Sequence, residues 1–530
     1  MTFRVLATDR ISQEGLAPLA GDTRLEVVQE DDSSSSRFRE ELSRAHGLLV
    51  RSATRVTPEL LDGAPLLRAV GRAGVGVDNI DLPACTRRGV AVFNAPAGNT
   101  VSAAELAFAL ILASMRRVPE ADRSVRAGEW ARSRFNGMEL QGKTLGLVGA
   151  GRIGGEVARR ARAFQMRILI YDPFLTPERV LELEGEGAEL DELLRQADVV
   201  TLHVPLTEST RGLLDRRRLA LMKPTAHLVN ASRGGVVDEE ALAEALSEGR
   251  LGGAALDVFA REPVAADSAL RDAPNLILTP HLGASTLEAQ ERVATEVAHA
   301  VRRALLEAEL AGALNAPSVG GAAMQRMAPV LDLGRRLGHL AVSLAPGAIA
   351  ALEVGYAGEA DEALGVLPRH VLMGILTPVL GRDQVNVVNA AVLAENRGIS
   401  VSARRLPRRA LPGERVEVAV HTNQGLLSLD GALLGEHHPR LVGLDGYDVN
   451  VAPAGTLLVL RNRDVPGVIG RVGTLLGQAG INIAEYHQAR RSEGGDALAA
   501  VVLDGRFPRE VMDRLTALPE ITSARVVELD

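Results

Sequence analysis

Apolar and polar positions in the first hundred residues fall into two alternating kinds of segment. Short apolar runs at Arg4 to Ala7, Leu25 to Val28, Gly47 to Val50, Ala69 to Gly71 and Val90 to Phe93 have the length of buried strands. Glu14 to Ala20, Pro58 to Asp62 and Leu82 to Arg87 lie between them and read as helices. This alternation predicts an open α/β sheet. The polar run Asp31 to Ser36 reads as a surface loop, and Ser102 with Glu105 spells a capping box ahead of an apolar helix reaching Met115. Further strands are predicted within Leu145–Val148, Met166–Tyr171, Asp198–His203, Ala226–Asn230, Gly252–Asp257 and Asn275–Thr279. Ser285 to Leu310 then reads as one long helix with Leu287, Val293, Val297, Val301 and Leu305 along it. From Asn315 to about Pro453 the chain is rich in alanine and glycine, and Arg404, Arg405, Arg408 and Arg409 read as a charged surface loop rather than as an anion site. A strand at Leu457–Arg461, an amphipathic helix ending at Gly480 and further strands fit a small ferredoxin-like unit.

The densest signal is Lys143 to Asp172. An apolar strand runs into Gly149-x-Gly151-x-x-Gly154, followed by a helix and a second strand. Gly149 permits the sharp turn, Gly151 lets backbone approach a pyrophosphate, and Gly154 lets the helix lie close to the strand. Asp172 ends the second strand, where a carboxylate accepts from an adenosine ribose and repels a 2′-phosphate. NAD is therefore expected rather than NADP.

Composition narrows the setting. A chain of 530 residues exceeds a single core, and 46% hydrophobic with 24% charged residues is ordinary for a globular protein. A net charge of −8 offers no general basic surface, so nucleic acid is not expected as a partner. Cys85 is the only cysteine, which leaves no intrachain disulfide. The opening residues lack a signal peptide, and the apolar patches Leu106–Ala113 and Leu340–Leu352 are shorter than a membrane span. A cytoplasmic protein that does not enter a membrane is expected, and no metal site is predicted.

In a parallel sheet the residues just beyond the strands gather at one edge, and ligands bind there. His203, Arg233, Asp257, Glu262 and His281 all fall at or just beyond predicted strand ends. Hydride transfer from a hydroxyl-bearing carbon needs a base for the hydroxyl proton, a cation to hold the substrate and polarise the carbonyl, and a carboxylate behind the base. Histidine suits the base, and both His203 and His281 qualify by position.

Three motifs resolve that choice by resemblance. Asn230 to Glu239 (NASRGGVVDE), Ala255 to Phe259 with Glu262-Pro263, and Pro280 to Ala284 (PHLGA) resemble the D-2-hydroxyacid dehydrogenases. The resemblance implies that Arg233 binds the substrate carboxylate and carbonyl, that His281 is the acid/base and that Glu262 pairs with it. It further implies cofactor contacts from Val75, Gly149, Gly151, Arg152, Ile153, Gly154, Asp172, Val204, Pro205, Ala231, Ser232, Arg233, Asp257, His281, Gly283 and Ala284. His203 becomes a neighbour of the cofactor.

Val50 to Thr54, Val70 to Asn79 (VGRAGVGVDN) and Asn94 to Glu105 are similar to the D-3-phosphoglycerate dehydrogenase branch, in its long form. Substrate contacts implied there are Arg51, Ser52, Arg72, Val75, Gly76, Asn99, Arg233 and His281, with Arg132 reaching in from a neighbouring subunit. The implied architecture is a Rossmann-type doubly wound sheet (98–284), a discontinuous flavodoxin-like α/β substrate domain (1–97 and 285–315), an α+β intervening domain (316–453) and a ferredoxin-like ACT domain (454–530). Val385 to Ser400 carries the likeness to the intervening domain. Hinges are expected near Ala97 and His281. In ACT domains the positions of Asp464 and Asn482 bind an amino-acid effector across a domain dimer. Here the effector would be L-serine, although Asn462 stands where histidine or tyrosine is commoner. The branch implies 3-phosphoglycerate as substrate and a homodimer or homotetramer. Two other readings stay open: a reductase of hydroxypyruvate, glyoxylate or 2-oxoglutarate, and an NAD-sensing corepressor-like binding protein.

Overall fold

The computed structural model describes residues 2–407, 413–435 and 438–529. Its first sheet holds β1 (Phe3–Ala7), β2 (Leu25–Gln29), β3 (Gly47–Val50), β4 (Ala69–Arg72) and β5 (Ala91–Asn94), all parallel in the order β2-β1-β3-β4-β5. That is the flavodoxin-like order. The long helix is Leu287–Glu307, capped by Thr286. It buries Val293, Val297, Val301 and Leu305 with Val5, Leu49 and Phe93 of this sheet, so the chain returns to its first sheet. Leu287, expected on the same stripe, is exposed because it begins the helix before the sheet is reached.

Two local expectations fail. The polar run 31–36 is not loop throughout: the Ser35 hydroxyl accepts from Phe38 N and starts a helix at Ser36. The capping box does not form. Helix Thr100–Met115 begins two residues before Ser102, whose hydroxyl donates to Gly283 O (2.9 Å), and Glu105 pairs with Arg160.

The second sheet holds β6 (Thr144–Val148), β7 (Arg167–Tyr171), β8 (Glu186–Gly187), β9 (Val199–Leu202), β10 (His227–Asn230), β11 (Gly253–Leu256) and β12 (Leu276–Leu278). All are parallel, in the order β12-β11-β10-β9-β6-β7-β8. Helices cover both faces, as burial of near-continuous apolar strands requires. The order reverses between β6 and β9, which opens a crevice at their carboxyl ends.

A third, mixed sheet contains β13 (Ile349–Ala357), β14 (Ser400–Arg405), β15 (Arg415–Thr422), β16 (Gly425–Leu434), β17 (His438–Leu444) and β18 (Tyr447–Val451). Its order is β14-β13-β15-β16-β17-β18, with only the edge pair β13 and β14 parallel. Arg404 and Arg405 therefore lie on an edge strand rather than a loop, paired with Glu417 and Asp361. Arg408 and Arg409 lie outside the described residues. Helices Gly321–Leu344 and Ala363–Leu380 pack together in this unit. Ala363–Leu380 is long and apolar enough to cross a membrane, a length the sequence reading overlooked, and half of it is buried in this core.

The fourth sheet is antiparallel: β19 (Gly455–Arg463), β20 (Ile483–Arg490), β21 (Asp496–Leu503) and β22 (Ile521–Leu529), in the order β20-β21-β19-β22. Helices Val468–Gln478 and Arg509–Thr516 pack on one face. From the other face, Leu457, Val459, Leu498, Ala500, Val527 and Leu529 join the core of the third sheet.

Candidate active site

The carboxyl edge of the second sheet arrays the predicted groups in spatial order. His281 follows β12, Asp257 β11, Ala231 to Arg233 β10, His203 β9, the glycine turn β6 and Asp172 β7. Gly149 has φ +87°, and a Cβ there would overlap the His203 carbonyl and the Val204 side chain. Open space adjoins Gly151, which starts the helix Arg152–Ala163 without any side-chain cap, leaving its first N–H groups for an anion. The Asp172 carboxylate accepts from Ala150 N (2.9 Å) and Phe174 N (3.0 Å), which locks the second strand's end to the glycine turn and leaves further acceptor capacity. These residues fit a dinucleotide. Val204 is half-buried, Pro205 exposed and Ile153 half-buried at the turn. His203 sits 3.0 Å from the Thr201 hydroxyl, and desolvation pushes its pKa down to about 4, so it stays neutral.

His281 Nδ1 lies 2.9 Å from Glu262 Oε2, and the other Glu262 oxygen accepts from Phe259 N (3.1 Å). This contact fixes the ring and leaves Nε2 for a substrate. The His281 backbone is left-handed (φ +55°), a conformation a non-glycine residue needs help to hold. Help comes from Asp257, which is fully buried. Its carboxylate accepts from Thr279 Oγ1 (2.6 Å), Leu282 N (2.8 Å) and Gly283 N (3.0 Å), and its carbonyl accepts from His281 N (2.9 Å). Asp257, expected at the cofactor, thus braces the histidine loop from behind, and Ser102 braces Gly283. Ala284 is half-buried beside them.

The Arg233 loop is tied by the buried Asn230, whose amide donates to Arg233 O (2.9 Å) while its carbonyl oxygen accepts from Ser232 N and Oγ. Arg233 reaches towards the first sheet, where Asp78 stands 3.4 Å from its Nε. A Cβ on Gly76 would overlap the Arg233 guanidinium, so that glycine marks where the two sheets' edges meet. Arg72 ends β4. Burial, with the charges of Arg233 and Arg51 nearby, pushes its pKa down to about 10, and its Nε is buried without a partner. Three guanidiniums from two sheets therefore face one cleft. Arg51 is held through its backbone by Asp9 (2.7 Å) and Asn79 (2.8 Å), and Ser52 beside it is exposed. The Val75 carbonyl accepts from Asn94, and the Asn99 carbonyl oxygen at the start of helix Thr100–Met115 is buried and unpartnered. Arg152, expected at the cofactor, turns to Pro96 O (3.0 Å) and ties the Rossmann helix to the crossing segment. Arg132 is exposed on the short turn Arg132–Phe135.

Asp9, Asp78, Asn79 and Asn230 were missed by sequence reasoning. Asp78, Asn79 and Asn230 sat inside quoted motifs, and Asp9 lies two residues beyond the first predicted strand. That placement is the signal that could have found them.

In the fourth sheet the effector positions are apart. Asp464 accepts from Arg490 (2.7 Å) near the β19–β21 end at Arg463 and Asp496, while Asn482 donates to Asp504 (2.7 Å) at the opposite end. Asn462 is buried and bonded to Arg463 O (2.9 Å). One chain does not bring these residues together.

Residues 108–283 match the NAD-binding domain of D-isomer specific 2-hydroxyacid dehydrogenases, 326–445 the D-3-phosphoglycerate dehydrogenase intervening domain, and 456–520 the ACT domain. The D-3-phosphoglycerate dehydrogenase of Synechocystis sp. is 41% identical over 529 residues, spanning 99% of this chain and 95% of that protein. The chain belongs to the D-3-phosphoglycerate dehydrogenase family. A second relative of that name, from Bacillus subtilis, is 39% identical over 528 residues, 99% of this chain and 100% of its own. Among solved structures, the Thermus thermophilus TT0316 protein (39% identity, TM-score 0.53) covers 57% of this chain and 97% of its own. D-lactate dehydrogenase from Aquifex aeolicus, complexed with NAD and lactic acid (33% identity, TM-score 0.51), covers 58% and 96%. The chain thus combines an NAD-binding domain, an intervening domain and an ACT domain.

Proposed function

We propose that the chain oxidises 3-phospho-D-glycerate to 3-phosphohydroxypyruvate, the first step of L-serine biosynthesis, with L-serine acting as effector through the ACT domain. NAD, when bound, supplies the hydride acceptor. His281 Nε2 takes the C2 hydroxyl proton as the C2 hydrogen departs with its electron pair, and Glu262, on Nδ1, stabilises the imidazolium that forms. Arg233 holds the substrate carboxylate and polarises C2–O in a bidentate fork. Arg51 and Arg72 take the remaining charge of a substrate that carries phosphate as well as carboxylate. Ser52, Val75, Gly76 and Asn99 line the same end of the cleft. Support comes above all from the convergence of Arg51, Arg72 and Arg233, whose mutual repulsion Asp78 and Asp9 offset in part and a multiply charged anion would relieve further.

The reading includes a division at 1–97 with 285–315, 98–284, 316–453 and 454–530, and closure about hinges near Ala97 and His281 that excludes water from the reacting atoms. It also includes a cytoplasmic homodimer or homotetramer, in which Arg132 enters a neighbour's cleft and Asp464 and Asn482 meet across two copies. The deciding experiment follows NADH from 3-phosphoglycerate and NAD at alkaline pH, with and without millimolar L-serine. Turnover with this substrate exceeding that with other 2-hydroxy acids in kcat/KM supports the reading. Bound NAD without turnover on any 2-hydroxy acid removes it.

A further inference from the structure

The amino-terminal edge of the NAD-binding sheet, opposite the cleft, encloses a second cavity of about 250 Å³ lined by Ser114, Arg117, Glu120, Asn136, His227 and Asn275, among others. His227 opens β10 and Asn275 precedes β12. The four-residue strands put this edge about 13 Å from the carboxyl edge at roughly 3.3 Å per residue. None of these residues has a part in the dehydrogenation.

The cavity is chemically two-signed. Arg117 and Asn275 both hold left-handed backbones (φ +53° and +54°), and Arg117 donates to Asn275 Oδ1 (2.9 Å) and Arg134 O (3.1 Å). Those two bonds fix the guanidinium and leave three of its five N–H donors. The buried His227 ring lies 2.6 Å from the Ser114 hydroxyl through Nδ1. Burial and the Arg117 charge hold its pKa at about 4, so at neutral pH it is an uncharged hydrogen-bonding group. Glu120 stands three residues beyond Arg117 on the helix Val118–Arg126 yet is paired neither with it nor with any other described cation, and one of its carboxylate oxygens is buried without a partner. A fixed cation and an unanswered carboxylate thus face one small space. Its volume lies below the roughly 300 Å³ at which pockets for drug-sized ligands begin, so the occupant is small.

We propose that this cavity binds a small α-amino acid as its zwitterion, the ammonium group on Glu120 and the carboxylate on Arg117 with the Ser114–His227 pair. A metal cation would be repelled by Arg117, and a plain anion would leave Glu120 unanswered.

The test is calorimetric titration of the full-length chain with L-alanine, a readout independent of turnover. One equivalent per chain is expected, at least tenfold weaker in Glu120→Gln, absent in Asn136→Trp, and unchanged in Asp464→Asn, which separates this site from the ACT domain. Asn136 is exposed within one chain, so a Trp there fills the cavity should Glu120→Gln not fold, and sedimentation of Asn136→Trp at the wild-type size shows that assembly is unchanged. No saturable binding by the wild type, binding that survives Asn136→Trp, or acetate binding as tightly as alanine would each overturn the proposal.

Discussion

His281 holds its left-handed turn because four hydrogen bonds run to Asp257 from the loop around it. Replacing His281 by alanine should lower turnover by roughly 100-fold to 10,000-fold while NAD affinity barely changes. A variant that turns over near the wild-type rate would remove it as the base. Arg233→Lys should not rescue the function, since an ammonium lacks the planar fork, and both kcat and KM should worsen. Gly76→Ala is a sharper probe: its methyl would displace the mobile end of Arg233, so kcat/KM should fall at least tenfold with the unfolding midpoint little changed. Strand-end position brought His203, Arg233, Asp257, Glu262 and His281 to one edge of the sheet, but it left two histidines open as the base, and only the resemblance chose His281. The bracing of the histidine loop by Asp257 was not legible, since a buried carboxylate that binds backbone looks, in sequence, like one that binds a ligand. Asp9 acts on a backbone group brought near only by folding, so its place after the first strand was the sole signal for it, whereas Asn230 stood inside a motif read for its arginine and bonds only two and three residues along the chain.

At the level of elements, the parallel strands were legible from their apolar runs, since strands buried on both faces carry little else. Starts of helices were not. Ser35 caps a helix from within a polar run, and Ser102 imitates a cap while reaching across to Gly283. The two serines should therefore respond differently. Ser35→Ala should cost about 1 kcal/mol through the lost cap. Ser102→Ala should cost a similar ~1 kcal/mol and also loosen the histidine loop, seen as a lower kcat that Ser35→Ala does not share. Urea midpoints and turnover measured together separate the outcomes; equal kcat in both variants would deny Ser102 its bracing role. The arginines of the third sheet misled because an edge strand and a loop share the same charged composition.

Over the whole molecule, burial lowers the pKa of His203, His227 and His370 to about 4. Free histidine titrates near 6.5, so between about pH 6.5 and 4 the unfolded chain takes up protons that the native one refuses. Stability should accordingly be complete above that window and fall as the pH drops through it. Urea midpoints at pH 7, 6 and 5 should decline in sequence, with a shallower decline in His370→Gln. A flat profile would mean that these rings titrate normally in the fold.

The sheet of the ACT unit shares one apolar core with the sheet before it. That preceding unit grips the first sheet in turn, with Asn386 donating to Gly89 O (2.9 Å) and Val388 buried among the residues that seat helix Leu287–Glu307. On the proposed reading of the ACT unit as a sensor, it is joined through the third sheet to the jaw that carries Arg51 and Arg72, so leverage applied there would act on the substrate side of the cleft.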